Sequence, residues 1–287
     1  MSERSRSNDR TTGWFRRRRR TGSAALPNRA LSIYDPIVFG IDEDGRRVEV
    51  TLIYRNLLIG GEPGAGKSSL LNTVIARAAL CGDCQLWLFD GKRVELGLWR
   101  KVAQVFVGND ITYALDRLRA LQREMDARYA ALDAALRRKI DRIDRLPVIL
   151  CAIDELAYFS VTIGSKDQQE EFKTLVRDLV ARGRAAGIIV VAATQRPSAD
   201  IIPTSLRDLF GYRVAFRCTT DSSSDIILSV GWAHEGYSAK DIAPEQLGVA
   251  WLLAEGGIPR RIKAAYLTDQ QIRHVVERAL SIRRRAA

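Results

Sequence analysis

The 287-residue sequence predicts an α/β fold in which helices flank a mainly parallel central sheet. Two observations favour it: short apolar runs rich in Val and Ile, and segments of helical periodicity that alternate with those runs. Strands of a parallel sheet are buried on both faces, so they read as near-continuous apolar runs. The predicted strands span residues 57–59, 86–89, 102–107, 148–153, 188–193, 214–216 and 249–253.

Helices are predicted wherever apolar residues recur at helical spacing. Segments 70–79 and 111–136 show this period. A last helix is predicted from Asp269, because Thr268 and Gln271 have the spacing of a capping box. Before the first strand, segments 36–41 and 47–52 flank an Asp-Gly pair that favours a tight turn, so a short β-hairpin is expected to precede the sheet.

Composition divides the chain into two parts. Residues 1–30 contain nine Arg, five of them in the run Arg16–Arg20, and too few apolar side chains to offset the entropy of ordering. They are predicted to form a disordered basic arm. Residues 31–287 are predicted to form one folded domain that ends in a short basic tail at Arg283–Arg285.

Charge and hydropathy exclude several classes of protein. The contents of 46% hydrophobic and 28% charged residues exclude fibrous, collagen-like and wholly disordered chains. The longest apolar stretch, residues 185–194, is too short to span a membrane. The net charge of +11 comes almost entirely from the arm and the tail, which can contact DNA, anionic lipid or nothing specific. Four Cys and no signal peptide favour an intracellular, cytoplasmic protein.

A phosphate-binding loop is the strongest motif. Residues 61–68, Gly-Glu-Pro-Gly-Ala-Gly-Lys-Ser, match the GxxxxGK[ST] pattern between a predicted strand and a predicted helix. Glycines let backbone N–H groups surround phosphates, Lys67 reaches the β- and γ-phosphates, and Ser68 offers a hydroxyl to Mg²⁺. The alternative is an ordinary Gly-rich turn. The predicted nucleotide-binding residues are Gly61, Glu62, Pro63, Gly64, Ala65, Gly66, Lys67, Ser68 and Ser69.

Two adjacent carboxylates follow the predicted strand at 148–153. Ligands of parallel sheets lie at the carboxyl ends of strands, and successive strand residues point to opposite sides. We therefore expect Asp154 to hold the metal and Glu155 to orient and deprotonate the attacking water; the alternative is a pair of solvated charges. Gln195 ends the next apolar run, where an amide can sense the γ-phosphate, although a strand ending in Thr-Gln is by itself a weak signal.

The order of these segments resembles the motor domain of the FtsK/SpoIIIE DNA translocases, including conjugative relatives on actinobacterial plasmids and integrative elements. The resemblance runs from about Val38 to Tyr266. Residues 89–92 are also similar to the family's Asp-Pro-Lys segment. The segments that carry the resemblance are GEPGAGKS at 61–68, ILCAIDE at 149–155, ARGRAAGIIVVAATQRP at 181–197 and YRVAFR at 212–217.

The resemblance implies a RecA-like P-loop NTPase that assembles into a ring, usually a hexamer, and threads double-stranded DNA through its pore. The implied cofactors are ATP and Mg²⁺. By position, Lys67 and Ser68 bind Mg-ATP, Asp154 and Glu155 form the Walker B pair, and Gln195 senses the γ-phosphate.

The resemblance also implies an arginine finger, a residue that reaches the ATP of the neighbouring subunit. Arg184 is the first candidate and Arg182 the second; the alternative is that either residue only caps the helix before it. DNA-contacting loops are implied at residues 158–173 and 197–207, where sparse charge leaves phosphate contacts to backbone amides and small polar side chains.

The predicted function is an ATP-dependent double-stranded DNA translocase that acts in plasmid or mobile-element transfer. The family's winged-helix and membrane segments are not found in this sequence, which favours a transfer protein, with a membrane-anchored partner, over a chromosome pump. The basic arm is a second way to reach the membrane. Two alternatives remain: a type VII-like protein secretion ATPase, whose chains usually string several motor domains together, and a nucleotide-switched DNA-binding adaptor.

No metal cluster is expected. Cys81 and Cys84 form a single CxxC pair, whereas Cys151 and Cys218 lie separately. A zinc site usually needs a second paired cluster, so these residues are predicted to be ordinary thiols.

Overall fold

A computed structural model describes residues 31–286 of the chain, with side chains through Arg284. The predicted disordered arm, residues 1–30, lies outside the described residues. The strands are β1 (Ile37–Asp42), β2 (Arg47–Val50), β3 (Leu57–Gly60), β4 (Cys84–Phe89), β5 (Val105–Val107), β6 (Val148–Ile153), β7 (Ile188–Thr194), β8 (Tyr212–Phe216), β9 (Val249–Ala254) and β10 (Arg260–Ala264). The helices are α1 (Lys67–Ala79), α2 (Ile111–Ala134), α3 (Lys166–Arg182), α4 (Thr204–Arg207), α5 (Asp221–Leu228) and α6 (Asp269–Ala286).

The described strands form one ten-stranded sheet in the order β2-β1-β10-β9-β8-β3-β7-β6-β4-β5. The six strands from β8 to β5 pair in parallel. The remaining four extend the sheet with antiparallel pairs, and β1 and β2 form the expected hairpin. The predicted α/β fold, with a mainly parallel sheet flanked by helices and preceded by a hairpin, is confirmed.

The parallel strands are buried on both faces because helices cover each side. Alternate residues of β6 belong to two cores: Val148 and Leu150 pack in the core that contains α1 and α6, whereas Ile149 and Cys151 pack in the core that contains α2 and α3. Every residue of β6 is buried. This explains the apolar runs from which the sheet was predicted.

Strand order brings the predicted site together. The strand β7 lies between β3 and β6, and Gly60 pairs with Thr194 while Ile153 pairs with Ala192. The three strands are parallel, so the residues that follow Gly60, Ile153 and Thr194 emerge at one edge of the sheet. The phosphate-binding loop, the adjacent carboxylates and Gln195 are therefore neighbours.

The run at residues 102–107 was predicted as one strand, and this is wrong. Only Val105–Val107 form β5, whereas Gly97–Val102 form a 3-10 helix. That helix is fixed by Trp99, which is fully buried and donates its indole N–H to Asn72 Oδ1 of α1 over 2.7 Å. The strand β10 was not predicted. It alternates charged and apolar residues, as an antiparallel strand does, and so lacks the continuous apolar run on which the strand predictions depended.

The carboxyl-terminal helix begins as predicted. The backbone N–H of Thr268 donates to Gln271 Oε1 over 2.9 Å, and the N–H of Gln271 donates to Thr268 Oγ1 over 3.2 Å, which completes the capping box. Arg283 does not extend from a free tail, because it lies within α6. Its guanidinium donates to the carbonyl oxygens of Ala78, Ala79 and Cys84 over 2.9–3.3 Å. It thereby satisfies the end of α1.

None of the described helices has both the length and the apolar composition needed to cross a membrane.

We expect Arg283→Ala to lower the free energy of unfolding by about 1–3 kcal/mol, because it removes a partly buried cation and leaves carbonyls of α1 without donors. Arg284→Ala is the matched control, since Arg284 is exposed on the same helix. Urea denaturation followed by circular dichroism measures both. Equal stability of the two variants would contradict the capping role.

Candidate active site

The phosphate-binding loop joins β3 to α1 and needs its glycines. Gly61, Gly64 and Gly66 have φ angles of 142°, 75° and 121°, values that residues other than Gly rarely adopt. A Cβ atom at Gly66 would lie 2.6 Å from the Cα of Gly248, and one at Gly61 would lie 2.8 Å from the Cβ of Phe216. The loop is thus packed directly against the ends of β8 and β9.

The loop is also held by hydrogen bonds. The N–H of Glu62 donates to the carbonyl of Arg217 over 2.8 Å, and the N–H of Gly248 donates to the carbonyl of Ala65 over 2.8 Å. The Glu62 carboxylate pairs with Arg217 at 2.6 Å and accepts the hydroxyl of Thr219 at 2.5 Å. These contacts fix the shape of the loop before any phosphate binds.

Lys67 is nearly buried, with 5% of its surface exposed, and its Nζ donates to the carbonyl of Glu62 over 2.6 Å. Burial lowers the pKa of Lys67 to about 8, although the nearby carboxylates of Glu155 and Asp154 oppose that shift. The Lys67 ammonium therefore lies over the loop, in the place where a bound phosphate would contact it.

A cavity of about 340 Å³ opens above the loop. It brings together most of the predicted nucleotide-binding residues with Gln195. Two residues that the sequence reasoning did not assign, Lys92 and Glu95, complete its wall. The lining residues are Pro63, Gly64, Gly66, Lys67, Ser68, Ser69, Lys92, Glu95 and Gln195.

Lys92 and Glu95 reach the cavity because a buried aspartate shapes the segment between them. Asp90, fully buried at the end of β4, accepts the N–H groups of Arg93 and Leu96, each over 2.8 Å. The Ser68 hydroxyl donates to Glu95 Oε2 in a long contact of 3.3 Å. One feature of the sequence could have indicated that this segment belongs to the site. Asp90-Gly91-Lys92 directly follows a strand, at the same edge of the sheet as the other site residues.

Asp154, the predicted metal ligand, is buried with 6% of its surface exposed. Its Oδ2 has no hydrogen-bond partner among the described residues. Burial and the negative charges of Glu95, Asp90 and Glu155 raise the pKa of Asp154 to about 7.

These residues fit Mg²⁺. The ion prefers oxygen ligands and is usually held by one or two carboxylates together with substrate phosphates. Asp154 supplies an unpartnered carboxylate oxygen, and Ser68 supplies a hydroxyl beside the cavity. Within residues 31–286, no group of three His, Cys, Asp or Glu side chains forms a metal site by itself. All four cysteines are buried and free.

Glu155, the predicted base, points to the neighbouring strand. Its Oε1 accepts the hydroxyl of Thr194 over 2.7 Å and the N–H of Ala157 over 3.3 Å, and its Oε2 accepts the N–H of Gln195 over 2.9 Å. Asp154 Oδ2, in contrast, has no hydrogen-bond partner among the described residues, so the two carboxylates are satisfied unequally. Neither of the two lines the cavity.

The two candidate finger residues lie far from this site. Arg184 precedes β7, at the amino end of the parallel strands, and its Nε donates to the carbonyl of Tyr54 over 2.6 Å, with Glu255 3.5 Å away. Arg182 is paired with Asp178 and Asp126. Tyr54 and the phosphate-binding loop lie at opposite ends of β3, which is roughly 13 Å long. Neither Arg is placed to touch phosphate on its own loop.

The two segments implied to contact DNA differ in structure. Residues 158–173 are not a loop: Tyr158–Thr162 form a π-helix and α3 begins at Lys166. Phe159 and Phe172 stack in the core with ring centroids 5.2 Å apart, which fixes this segment. In residues 197–207, Ile201 and Ile202 are buried, whereas residues 203–205 are exposed.

Residues 15–146 match the model of the FtsK/SpoIIIE family. This match to the FtsK/SpoIIIE family domain takes in just under half of the 287 residues. The match includes the phosphate-binding loop but ends before β6, so the adjacent carboxylates and Gln195 lie beyond it.

Curated relatives align over a longer part of the chain. A protein named DNA translocase FtsK from Treponema pallidum is 31% identical, and its namesake from Borreliella burgdorferi is 29% identical. Each alignment covers 84% of this chain and 31% of the relative. The chain thus spans about a third of the length of these relatives.

Solved structures share the fold. The pCW3 conjugation coupling protein TcpA, in a monomer form with ATPγS, superposes with a TM-score of 0.75 at 24% identity, over 91% of this chain and 75% of that one. The cytoplasmic domain of the type VII secretion ATPase EccC from Thermomonospora curvata superposes with a TM-score of 0.70 at 21% identity, over 89% and 31%. Both likenesses confirm the P-loop ATPase fold.

At about pH 8, above the raised pKa of Asp154, we expect Asp154→Asn to stabilise the nucleotide-free protein by about 2 kcal/mol, a rise of roughly 4–8 °C in melting temperature, because it removes an unpartnered buried charge. Asp90→Asn is the contrasting control. Both of its carboxylate oxygens accept N–H groups, and an amide nitrogen cannot do so. Differential scanning fluorimetry should show shifts of opposite sign; a lower melting temperature for Asp154→Asn would contradict the account.

Proposed function

We propose that this protein hydrolyses ATP and uses the reaction to move double-stranded DNA. The observation that carries the ATPase proposal is the convergence of Lys67, Ser68, Asp154, Glu155 and Gln195 on one edge of three adjacent parallel strands. Such an edge is where parallel α/β sheets bind ligands.

The proposed roles follow from the contacts. Lys67 neutralises charge on the β- and γ-phosphates, and the glycines of the loop present backbone N–H groups to them. Ser68 and Asp154 would hold Mg²⁺, which would offset charge on the transferred phosphoryl group. Glu155 takes the proton of the attacking water as the water oxygen forms a bond to the γ-phosphorus and the bond from that phosphorus to the leaving ADP oxygen breaks. Gln195 lies on the cavity wall, and its proposed role is to contact the γ-phosphate through its side-chain amide.

Ring assembly is supported by the position of Arg184. It lies at the edge of the sheet opposite its own phosphate-binding loop, so a catalytic contact has to be made in a neighbouring subunit. Arg184 is the better candidate because Arg182 is held by two aspartates. We propose a ring of such subunits, and a hexamer is the number that the resemblance to the FtsK/SpoIIIE translocases implies.

DNA as the substrate is supported by the relatives that align with 84% of the chain, each named a DNA translocase. A role in conjugative transfer rests on the fold shared with the coupling protein TcpA. The exposed part of residues 197–207 and the basic arm, residues 1–30, are the proposed duplex contacts. The arm is also the proposed route to a cytoplasmic membrane surface or a membrane partner.

Protein secretion is the second candidate function, because the secretion ATPase EccC shares the same fold. A nucleotide-switched DNA-binding adaptor would bind the same ligands without sustained hydrolysis. The rate of hydrolysis and its response to DNA separate the three functions.

Steady-state ATP hydrolysis at low salt, with and without linear duplex DNA, is the deciding measurement. We expect duplex to stimulate the rate at least severalfold, and Lys67→Ala to be inactive because it lacks the phosphate-binding cation. Hydrolysis that ignores DNA would favour the secretion ATPase. DNA binding with no turnover would favour the adaptor.

Mixed rings test the proposed finger. We expect Glu155→Gln to bind ATP and hydrolyse it at least 100-fold more slowly, and Arg184→Ala to be similarly slow with its own active site intact. Mixing the two variants should restore part of the activity if Arg184 acts in the neighbouring subunit. Normal hydrolysis by Glu155→Gln would reject it as the base, and no recovery on mixing would reject Arg184 as the finger.

A further inference from the structure

The hydroxyl of Thr194 lies between Glu155 and the turn that follows β7. It donates to Glu155 Oε1 over 2.7 Å and accepts the N–H of Arg196 over 3.1 Å. The N–H of Gln195 donates to Glu155 Oε2 over 2.9 Å. The end of β7 therefore holds both oxygens of the carboxylate that we propose as the base.

The hydrogen bonds to Glu155 are largely shielded from solvent. Thr194 is fully buried, and 8% of the surface of Glu155 is exposed. Hydrogen bonds to an ionised carboxylate are stronger than neutral ones, and a low local dielectric strengthens them further. Water cannot easily replace a donor there, so the carboxylate is released only if the donors themselves move.

The held carboxylate is not part of the wall of the phosphate cavity. Gln195 lines the phosphate cavity, but Glu155 does not. A general base has to lie within hydrogen-bond reach of the water that it deprotonates. In this structure the carboxylate is directed at β7 instead, and the chain that holds it is the chain that carries Gln195.

We infer that Thr194 is a positioning residue that keeps Glu155 in a resting orientation until the turn Gln195–Arg196 moves. The inference deepens the proposed function and rests on Glu155 being the base. It names a residue whose hydroxyl acts on the reaction only through another side chain.

The turn is placed to respond to two ligands. Gln195 lines the cavity, and its backbone N–H donates to Glu155. Arg196, with 68% of its side chain exposed, directly precedes residues 197–207, the segment whose exposed part is proposed to contact duplex DNA. A displacement of this turn withdraws the N–H of Gln195 and the hydroxyl of Thr194 together, and so couples the ligands to the base.

Thr194→Val tests the inference, because it removes the hydroxyl and keeps a side chain of similar shape. We expect hydrolysis without DNA to rise about tenfold, through kcat and with an unchanged KM for ATP. The rate with duplex should change less than twofold, so the stimulation by DNA falls about tenfold. Binding of a fluorescent ATP analogue should match that of the unmodified protein.

Two further variants complete the kinetic experiment. Thr194→Ser keeps the hydroxyl and should bring the DNA-free rate back towards that of the unmodified protein. Thr112→Val, an exposed site on α2, controls for the loss of a threonine hydroxyl elsewhere. A Thr194→Val protein with an unchanged or lower DNA-free rate would overturn the inference, as would equal rates for the Val and Ser variants.

The contact itself can be tested without nucleotide or DNA. In a double-mutant cycle on the nucleotide-free protein, Thr194→Val should lower the melting temperature less in a Glu155→Ala background than in the unmodified protein. Additive shifts would show that the hydroxyl does not hold Glu155 and would overturn the inference. Because this readout needs no catalysis, failure of the proposed function remains distinguishable: an active Glu155→Gln protein rejects the base while the cycle still reports the contact.

Discussion

The site depends on the removal of three charges from water at one edge of the sheet. Lys67, Asp154 and Glu155 are each less than one-tenth exposed, and the fold satisfies them unequally. The ammonium of Lys67 donates to one carbonyl, and the carboxylate of Glu155 accepts three hydrogen bonds. One carboxylate oxygen of Asp154 has no hydrogen-bond partner among the described residues. Burying an unpaired charge is costly, so binding of a cation beside Asp154 would be favourable. The strand order β3-β7-β6 creates this inequality by placing all three groups within reach of each other.

The two edges of the parallel sheet have different chemistry. The carboxyl edge carries the phosphate-binding loop, the buried carboxylates and the segment shaped by Asp90. The amino edge carries Arg184, bound to the carbonyl of Tyr54 and close to Glu255. A subunit built this way has an acceptor for nucleotide on one side and a cation on the other. In the proposed ring, head-to-tail contacts between copies would bring the two together, and such contacts close into rings when the rotation permits.

Local signals in the sequence predicted much of this arrangement. The glycine pattern of residues 61–68, the apolar run before Asp154 and the capping box at Thr268 each depend on neighbouring residues, and the structure contains all three as structural elements. The order of the strands depends on pairings between distant segments, so no local pattern predicted it. The orientation of Glu155 could not be predicted either, because it is set by Thr194 and Gln195 on another strand. Arg283 appeared to be a tail residue since its carbonyl partners in α1 lie about 200 positions earlier.

The contact between Gly66 and Gly248 changes what counts as the phosphate-binding motif. A side chain at Gly66 would collide with the backbone of Gly248, and one at Gly61 would collide with Phe216. The surface that shapes the loop is therefore supplied by β8 and β9, far outside the eight-residue signature. A homologue can keep every letter of that signature and still lose the loop's conformation through a substitution near the start of β9. Surveys of sequence variation that score the motif alone would not register such a loss.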